Sequence, residues 1–171
     1  MVHPPRSRFH RVSVDGYTRV ALDFRTMQAV VPAAGRGSRL GELTANRPKG
    51  LVDVAGRPLL AHVFDRAIEA GADELVVVIG YEAARIVDRF GDEYRGTPIT
   101  YVHQRDRRGL AHAVVQTEPH VDGPFLVVNG DNIFTESLRP VVRALDRDGV
   151  DGALAVEEVS READRRTGGV E

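Results

Sequence analysis

The chain contains no cysteine, which excludes a disulfide framework, a thiolate metal site and a cysteine nucleophile. That composition fits a reducing, cytoplasmic setting. Lysine is almost absent too: of the 23 basic residues, all but Lys49 are arginine. An arginine-rich background did not supply this one lysine, which singles it out as a candidate. Charge of one sign is also lacking, with a formal net charge of -2. No global field therefore draws the chain to nucleic acid or to an anionic membrane, and a site for phosphates has to be built locally. Long apolar runs are missing: none approaches the roughly 18–20 residues needed to span a bilayer. Residues 1–26 carry several arginines without the apolar core of a signal peptide.

What is present is the balance of one globular domain, 42% hydrophobic and 28% charged over 171 residues. At this length a folded chain buries roughly 70% of its unfolded surface, enough for a core of its own. Residues 1–26 have no clear periodicity and read as an irregular N-terminal extension, with Met27 an alternative start. A weak alternation over 19–24 offers an added edge strand as the second reading. From Met27 onward short apolar runs alternate with amphipathic stretches. Strands are expected at 27–31, 74–79, 99–102, 125–128 and 152–156. Helices are expected at 59–70, with Leu60, Val63, Phe64 and Ala67 inward and Gly71 as stop, and at 82–90, with Ile86, Val87 and Phe90 inward. Further helices are expected at 110–117 and 136–148. Strands that alternate with helices and are apolar on both faces imply an α/β fold with a mainly parallel sheet covered on both sides. Ligands in such sheets sit beyond the carboxyl ends of the strands.

Two segments fall at that edge. The first follows the strand at 27–31 and contains Ala33, Ala34, Gly35, Gly37, Ser38 and Arg39. Small residues let backbone N–H groups converge on phosphate oxygens, and Arg39 adds a planar fork of donors. A loop of this kind can also merely turn the chain. It is not a P-loop, because Gly37 is followed by Ser38-Arg39 rather than Lys-Ser/Thr. It is not the dinucleotide fingerprint either, since Leu40 stands where a third glycine belongs. About ten residues on, Pro48 stiffens the backbone before Lys49, whose point charge suits an oxygen that gains charge during phosphoryl chemistry; the bland reading is a solvated lysine. The second segment is Asn129-Gly130-Asp131-Asn132 after an apolar strand. Asp131 there can reach a crevice and hold Mg2+, which takes one or two carboxylates with phosphate oxygens and waters, or it can be ordinary turn chemistry. Gln104 with Gly109 has the donor and acceptor needed to read a pyrimidine edge, against the simpler reading of a polar loop. The histidines show no metal spacing, and His62, His103 and His112 read as packing or supporting residues.

In order along the chain, Ala34-Gly35-Arg36-Gly37-Ser38-Arg39-Leu40, Leu43-Thr44, Pro48-Lys49, Gly109-Leu110-Ala111 and Gly130-Asp131 resemble the sugar-phosphate nucleotidyltransferases. Val54-Ala55-Gly56-Arg57-Pro58-Leu59 resembles the segment that leads into that family's first long helix. The resemblance implies a Rossmann-like three-layer αβα domain over 27–171, with a mainly parallel, mixed sheet. It implies transfer of a nucleotidyl group from a nucleoside triphosphate to a sugar 1-phosphate, with release of pyrophosphate; Gly130-Asp131-Asn132-Ile133-Phe134 favours dTTP or UTP. Ala33, Ala34, Gly35, Gly37 and Ser38 would wrap the triphosphate, Arg39 and Lys49 would act on its phosphates, Gln104 and Gly109 would read the base, and Asp131 would hold Mg2+. A cytidylyl- or guanylyltransferase of the same fold, or a nucleotide-binding regulatory or inactive fragment, is the alternative. Gly168-Gly169-Val170-Glu171 resembles the start of the family's sugar-binding strand, placing Gly169 at the sugar, so the C-terminal part is expected to be missing. No nucleic acid or membrane partner is expected, and the family resemblance makes a homo-oligomer plausible.

Overall fold

The computed structural model describes residues 8–14, 17–23, 26–35, 47–106 and 108–156. The chain divides into two units, Met1–Ser137 and Leu138–Glu171. In the first unit, β1 (Arg8–Val14) and β2 (Tyr17–Asp23) pair antiparallel, from Arg8 opposite Asp23 to Val14 opposite Tyr17. The extension is therefore not irregular over these residues, and its strands pair with each other rather than adding an edge to the main sheet. Cross-strand pairing was not legible in the weak alternation, because register between two short polar strands leaves little trace in either alone.

The main sheet is built from β3 (Gln28–Pro32), β6 (Glu74–Ile79), β7 (Glu93–Tyr94), β8 (Thr97–His103) and β9 (Phe125–Val127). A two-stranded ribbon, β4 (Asp53–Val54) with β5 (Arg57–Pro58), precedes the helix α1 (Leu59–Ala70). The helices α2 (Ala83–Phe90) and α3 (Leu110–Val115) complete the described elements of this unit, apart from two short 3-10 turns. The strand order is β7-β8-β6-β3-β9, parallel throughout except for the β7–β8 pair. Ala29, Val30 and Val31 of β3 and Leu75–Ile79 of β6 are all buried. Strands buried on both faces need cover on both sides, which is the three-layer arrangement expected from their continuous apolar runs. Among the described residues no helix is long and apolar enough to cross a membrane.

Helix α1 follows its amphipathic pattern: Leu60, Val63, Phe64 and Ala67 are fully buried, and Gly71 closes it at φ 114°, a left-handed conformation that favours glycine. Arg57 donates to Asp65 at 2.6 Å and to the Tyr94 hydroxyl at 2.8 Å, tying β5, α1 and β7 together. In α2, Ile86 and Phe90 are buried four residues apart, but Val87 is exposed, against expectation. It sits about 100° round the helix from Ile86 and about 60° from Phe90, at the edge of that stripe. Phe125 and Val127 are also exposed; β9 ends the sheet and is bonded to β3 alone. In the second unit, α4 spans Arg139–Ala144, far shorter than the expected 136–148. No strand forms at 152–156, where Leu154 is 83% exposed. Apolar alternation supplies a face, but a strand also requires a hydrogen-bonded neighbour.

The foot of the sheet is locked by one buried side chain. Gln28 donates from Nε2 to Glu74 Oε2 at 2.9 Å and to the His120 carbonyl at 2.7 Å, while its Oε1 accepts from the Asp122 N–H at 2.9 Å. Thr100 donates to the other oxygen of Glu74 at 2.7 Å, carrying the network to β8. At the opposite end, two glycines meet one leucine. A Cβ on Gly50 would lie 2.5 Å from Leu60 Cδ1 and 2.6 Å from its Cγ. A Cβ on Gly130 would lie 2.8 Å from the Pro32 carbonyl oxygen and 3.2 Å from Leu60 Cδ2.

Two outcomes follow for stability. Gln28→Leu leaves Glu74, the His120 carbonyl and the Asp122 N–H short of partners, and chemical denaturation is expected to show a loss of about 2–4 kcal/mol, from costs of about 1–3 kcal/mol per unpaired buried group. Gly50→Ala is expected to lose about 1–3 kcal/mol by overpacking, and Leu60→Ala about 2–5 kcal/mol by leaving a cavity. Because the two substitutions relieve each other, the double variant should be more stable than the sum of the two losses; strict additivity would show that Gly50 and Leu60 are not in contact.

Candidate functional site

The register of the parallel strands brings their carboxyl ends to one level: Pro32 lies opposite Val78, and Ile79 opposite His103. Backbone hydrogen bonds extend the ladder past the strand ends. The Ala33 N–H donates to the Val78 carbonyl at 2.8 Å, the Gln104 N–H to Ile79 at 2.8 Å, the Val128 N–H to Val30 at 3.0 Å and the Gly130 N–H to Pro32 at 3.0 Å. The segments after β3, β8 and β9 therefore leave the sheet along one edge, and the chain crosses from one side of β3 to the other between β8 and β9. Such a reversal of strand order opens a crevice.

Lys49 enters this edge on a 3-10 turn, Lys49–Leu51, immediately after Pro48. Proline cannot donate a backbone hydrogen bond and restricts φ, so it suits the residue that starts such a turn. The buried Gly50 then seats the turn on Leu60 of α1. Gly130 comes down on the same leucine from β9. The outcome is that Lys49 Nζ donates to Asp131 Oδ2 at 2.8 Å, although the two residues are 82 positions apart in sequence. Their side chains are 29% and 47% exposed. An ion pair this open is worth at most about 1 kcal/mol to the fold, so it does not account for the arrangement that holds it.

A cavity of about 230 Å³ lies over the pair. Pro32, Ala33 and Gly35 form one wall, Lys49 and Gly50 another, and Asn129, Gly130 and Asp131 a third. Leu110, the first residue of α3, completes it. A separate cavity of about 340 Å³ is bounded by Arg47, Leu51, Pro58, Arg85 and Arg89 and contains none of the candidate catalytic or binding residues named from the sequence. Size does not choose between the two; converging chemistry does.

The structure thus brings together Ala33, Gly35, Lys49 and Asp131. Ala34 is buried at the same edge, packed with Val30, Val78, Val102 and Ala113. Gln104 is only 4% exposed and bonds through Nε2 to the Nδ1 of His112 at 2.9 Å and to the Gly109 carbonyl at 3.4 Å. Its strand end comes close to the glycine-rich segment through Gly80, where a Cβ would lie 3.0 Å from Ala34 Cβ and 3.3 Å from the Gln104 carbonyl oxygen. Gly37, Ser38, Arg39 and Gly169 lie outside the described residues. Sequence reasoning passed over Gly50, Gly80 and Leu60. The glycines have no periodic signal, and Leu60 was indistinguishable from any other inward leucine of an amphipathic helix.

The described residues include no group of three or more His, Asp or Glu side chains that would hold a metal ion by itself. A single open carboxylate at the edge of a cavity fits instead a hard cation that takes most of its oxygens from a ligand and water. Chemically, the cavity offers a cation and a carboxylate side by side, beneath a wall of small residues.

A family model described as nucleotidyl transferase matches residues 28–171. Over 142 residues the chain is 50% identical to the UTP–glucose-1-phosphate uridylyltransferase AglF of Haloferax volcanii, a match that covers 83% of this chain and 58% of that protein. A solved structure described as a glucose-1-phosphate thymidylyltransferase from Bacillus anthracis aligns with a TM-score of 0.66 and 28% identity, over 70% of this chain and 50% of that one. A UDP-glucose pyrophosphorylase from Acinetobacter baumannii shares the fold at a TM-score of 0.65 and 23% identity, over 70% of this chain and 52% of that one. The matches thus cover only 50% to 58% of the length of these three relatives. With a matching family model over 28–171 and one crevice that gathers the small-residue segment, the lysine and the aspartate, the chain belongs to the nucleotidyl transferase family.

Proposed function

We propose that this chain forms the nucleotide half of an enzyme that transfers a uridylyl or thymidylyl group from UTP or dTTP to a sugar 1-phosphate, releasing pyrophosphate. Glucose 1-phosphate is the first sugar to consider, because the relative that is 50% identical is a UTP–glucose-1-phosphate uridylyltransferase. The observation that carries the reading is the cavity in which Ala33, Gly35, Lys49, Leu110 and Asp131 meet. Both substrates are metabolites of the cytoplasm, and we place the activity there.

The backbone of 33–35, free of bulky side chains, borders the space for the triphosphate. Gly37 and Ser38, further along the same loop, are assigned with 33–35 to wrapping the triphosphate, Arg39 to its outer phosphates, Gln104 and Gly109 to the base, and Gly169 to the sugar. A sugar-phosphate oxygen attacks the α-phosphorus in line with the departing pyrophosphate, with no covalent enzyme intermediate, so the protein contributes position and charge. Lys49 Nζ, held by its turn, balances the charge that gathers on the phosphate oxygens. Asp131 is the carboxylate that would hold a divalent cation, Mg2+ by its oxygen ligation. When bound, such an ion shares the neutralisation of the phosphate oxygens. Until substrate arrives, Lys49 and Asp131 satisfy each other at 2.8 Å.

The test is pyrophosphate release with glucose 1-phosphate, Mg2+ and each nucleoside triphosphate in turn. Release with UTP or dTTP is expected. Lys49→Met should lower the rate on the order of a hundredfold, the scale seen when a donor to a developing oxyanion is removed. The midpoint of thermal unfolding should hardly move, because the exposed ion pair adds little to the fold. Asp131→Asn should raise the Mg2+ concentration needed for half-maximal rate. Nucleotide binding without release would reduce the function to binding alone, and failure to bind any triphosphate in Mg2+ would overturn the proposal.

A further inference from the structure

Asp131 stands in a short turn after β9, closed by the Asn132 N–H donating to the Asn129 carbonyl at 3.2 Å. Its side chain is half exposed, so packing against the carboxylate does little to place it. The ion pair with Lys49 is too open to hold the turn either. The backbone of the turn has to be fixed from its two ends. On the entering side, the Gly130 N–H donates to the Pro32 carbonyl at 3.0 Å, and Gly130 rests on Leu60 of α1. On the leaving side, the chain runs through 132–134 without regular secondary structure and meets α1 again. There Arg66 donates from Nε to the Phe134 carbonyl at 3.0 Å and from Nη2 to the Thr135 carbonyl at 3.2 Å. Its Nη1 lies 3.7 Å from Glu69 Oε2, and Glu69 Oε1 accepts from the Ser137 hydroxyl at 2.9 Å.

One planar guanidinium thus grips two successive carbonyls. Its donors form a fixed fork, whereas an ammonium is a point charge on a flexible stem. Arg66 lies about 9 Å further along α1 than Leu60, at about 1.5 Å per residue. A single helix therefore supports the Asp131 turn from both sides. Groups that orient a metal ligand without touching the metal commonly govern its affinity by about 10–100-fold.

We propose that Arg66 is a positioning residue for Asp131: by fastening the Phe134 and Thr135 carbonyls to α1, it holds the carboxylate where a divalent cation on the nucleotide meets it. Arg66 acts through the backbone of 131–135, not by contact with nucleotide or cation. The inference rests on the reading of Asp131 as the cation's carboxylate and adds the group that keeps it in place.

The test uses the full chain and calorimetry of UTP without a sugar phosphate, so that no turnover intervenes. The dissociation constant is measured in EDTA and in saturating Mg2+, and the ratio of the two isolates what the cation adds. In the unmodified chain the ratio should be about tenfold or more. Asp131→Asn should bring it close to one. Arg66→Met keeps the stem and removes the donors; it should lower the ratio about threefold or more and leave the affinity in EDTA unchanged. Arg66→Lys, which can reach one carbonyl, should fall between the Met variant and the unmodified chain. If the Met variant does not fold, the Lys variant decides by the same ratio. A purely structural role would lower the midpoint of thermal unfolding, or weaken UTP equally in both conditions, with the ratio unchanged. Either result overturns the inference and leaves the reading of Asp131 intact. A ratio of one in the unmodified chain, or one that survives Asp131→Asn, overturns that reading and the inference with it.

Discussion

Everything at the crevice hangs on the contact of two backbones with one side chain. Leu60 projects from α1 and is covered from one direction by Gly50 and from another by Gly130. Neither glycine could carry even a methyl group without displacing the leucine or, for Gly130, the Pro32 carbonyl. Protein interiors are packed too closely to absorb such a change silently. The turn with Lys49 and the turn with Asp131 are thereby brought to rest on the same buried floor. The charge pair at 2.8 Å is a product of that packing rather than its cause, because attraction between two exposed side chains is far too weak to draw together segments so distant in sequence.

Electrostatics then takes its meaning from position. With a formal net charge of only -2, the chain as a whole gives no field that would draw phosphates, and any site for them has to be built locally. The described cavity offers one lysine, held on its turn, with the backbone of small residues next to it. Gln104, at the end of the neighbouring strand, is bonded in turn to His112 and to the Gly109 carbonyl.

Much of the fold was legible in the sequence where burial and periodicity coincide. The run Glu74–Ile79 could only be an interior strand, and Leu59–Ala70 showed both its face and its stop in Gly71. Legibility failed where an element depends on something not adjacent in the chain. The β1–β2 ribbon exists through pairing, the end of α4 at Ala144 precedes the periodic Leu145, and an alternating segment at 152–156 found no strand to join. At the site, Lys49 stood out through its rarity and its place after a proline, and Asp131 through its place after an apolar strand. That they meet was not readable, since the distance between them is set by Leu60 and two glycines whose importance is purely steric. Gln104 was legible as a polar residue at a strand end, but its link to His112 depends on where α3 begins.

The central strand is restrained at both ends. Gln28 binds its foot through side-chain hydrogen bonds that tolerate little displacement, and at its head the Pro32 carbonyl accepts from the Gly130 N–H at 3.0 Å, with no room for a Cβ on that glycine. A slip of one residue would move the strand about 3.3 Å and turn every side chain to the opposite face. Both restraints would break together. Misregistered pairings therefore lose a polar lock and gain a steric clash in the same step, leaving a wide energy gap below them. The height of Ala33 above the sheet, and with it the depth of the crevice, is thus chosen once, during folding, by a checkpoint far broader than the site it serves.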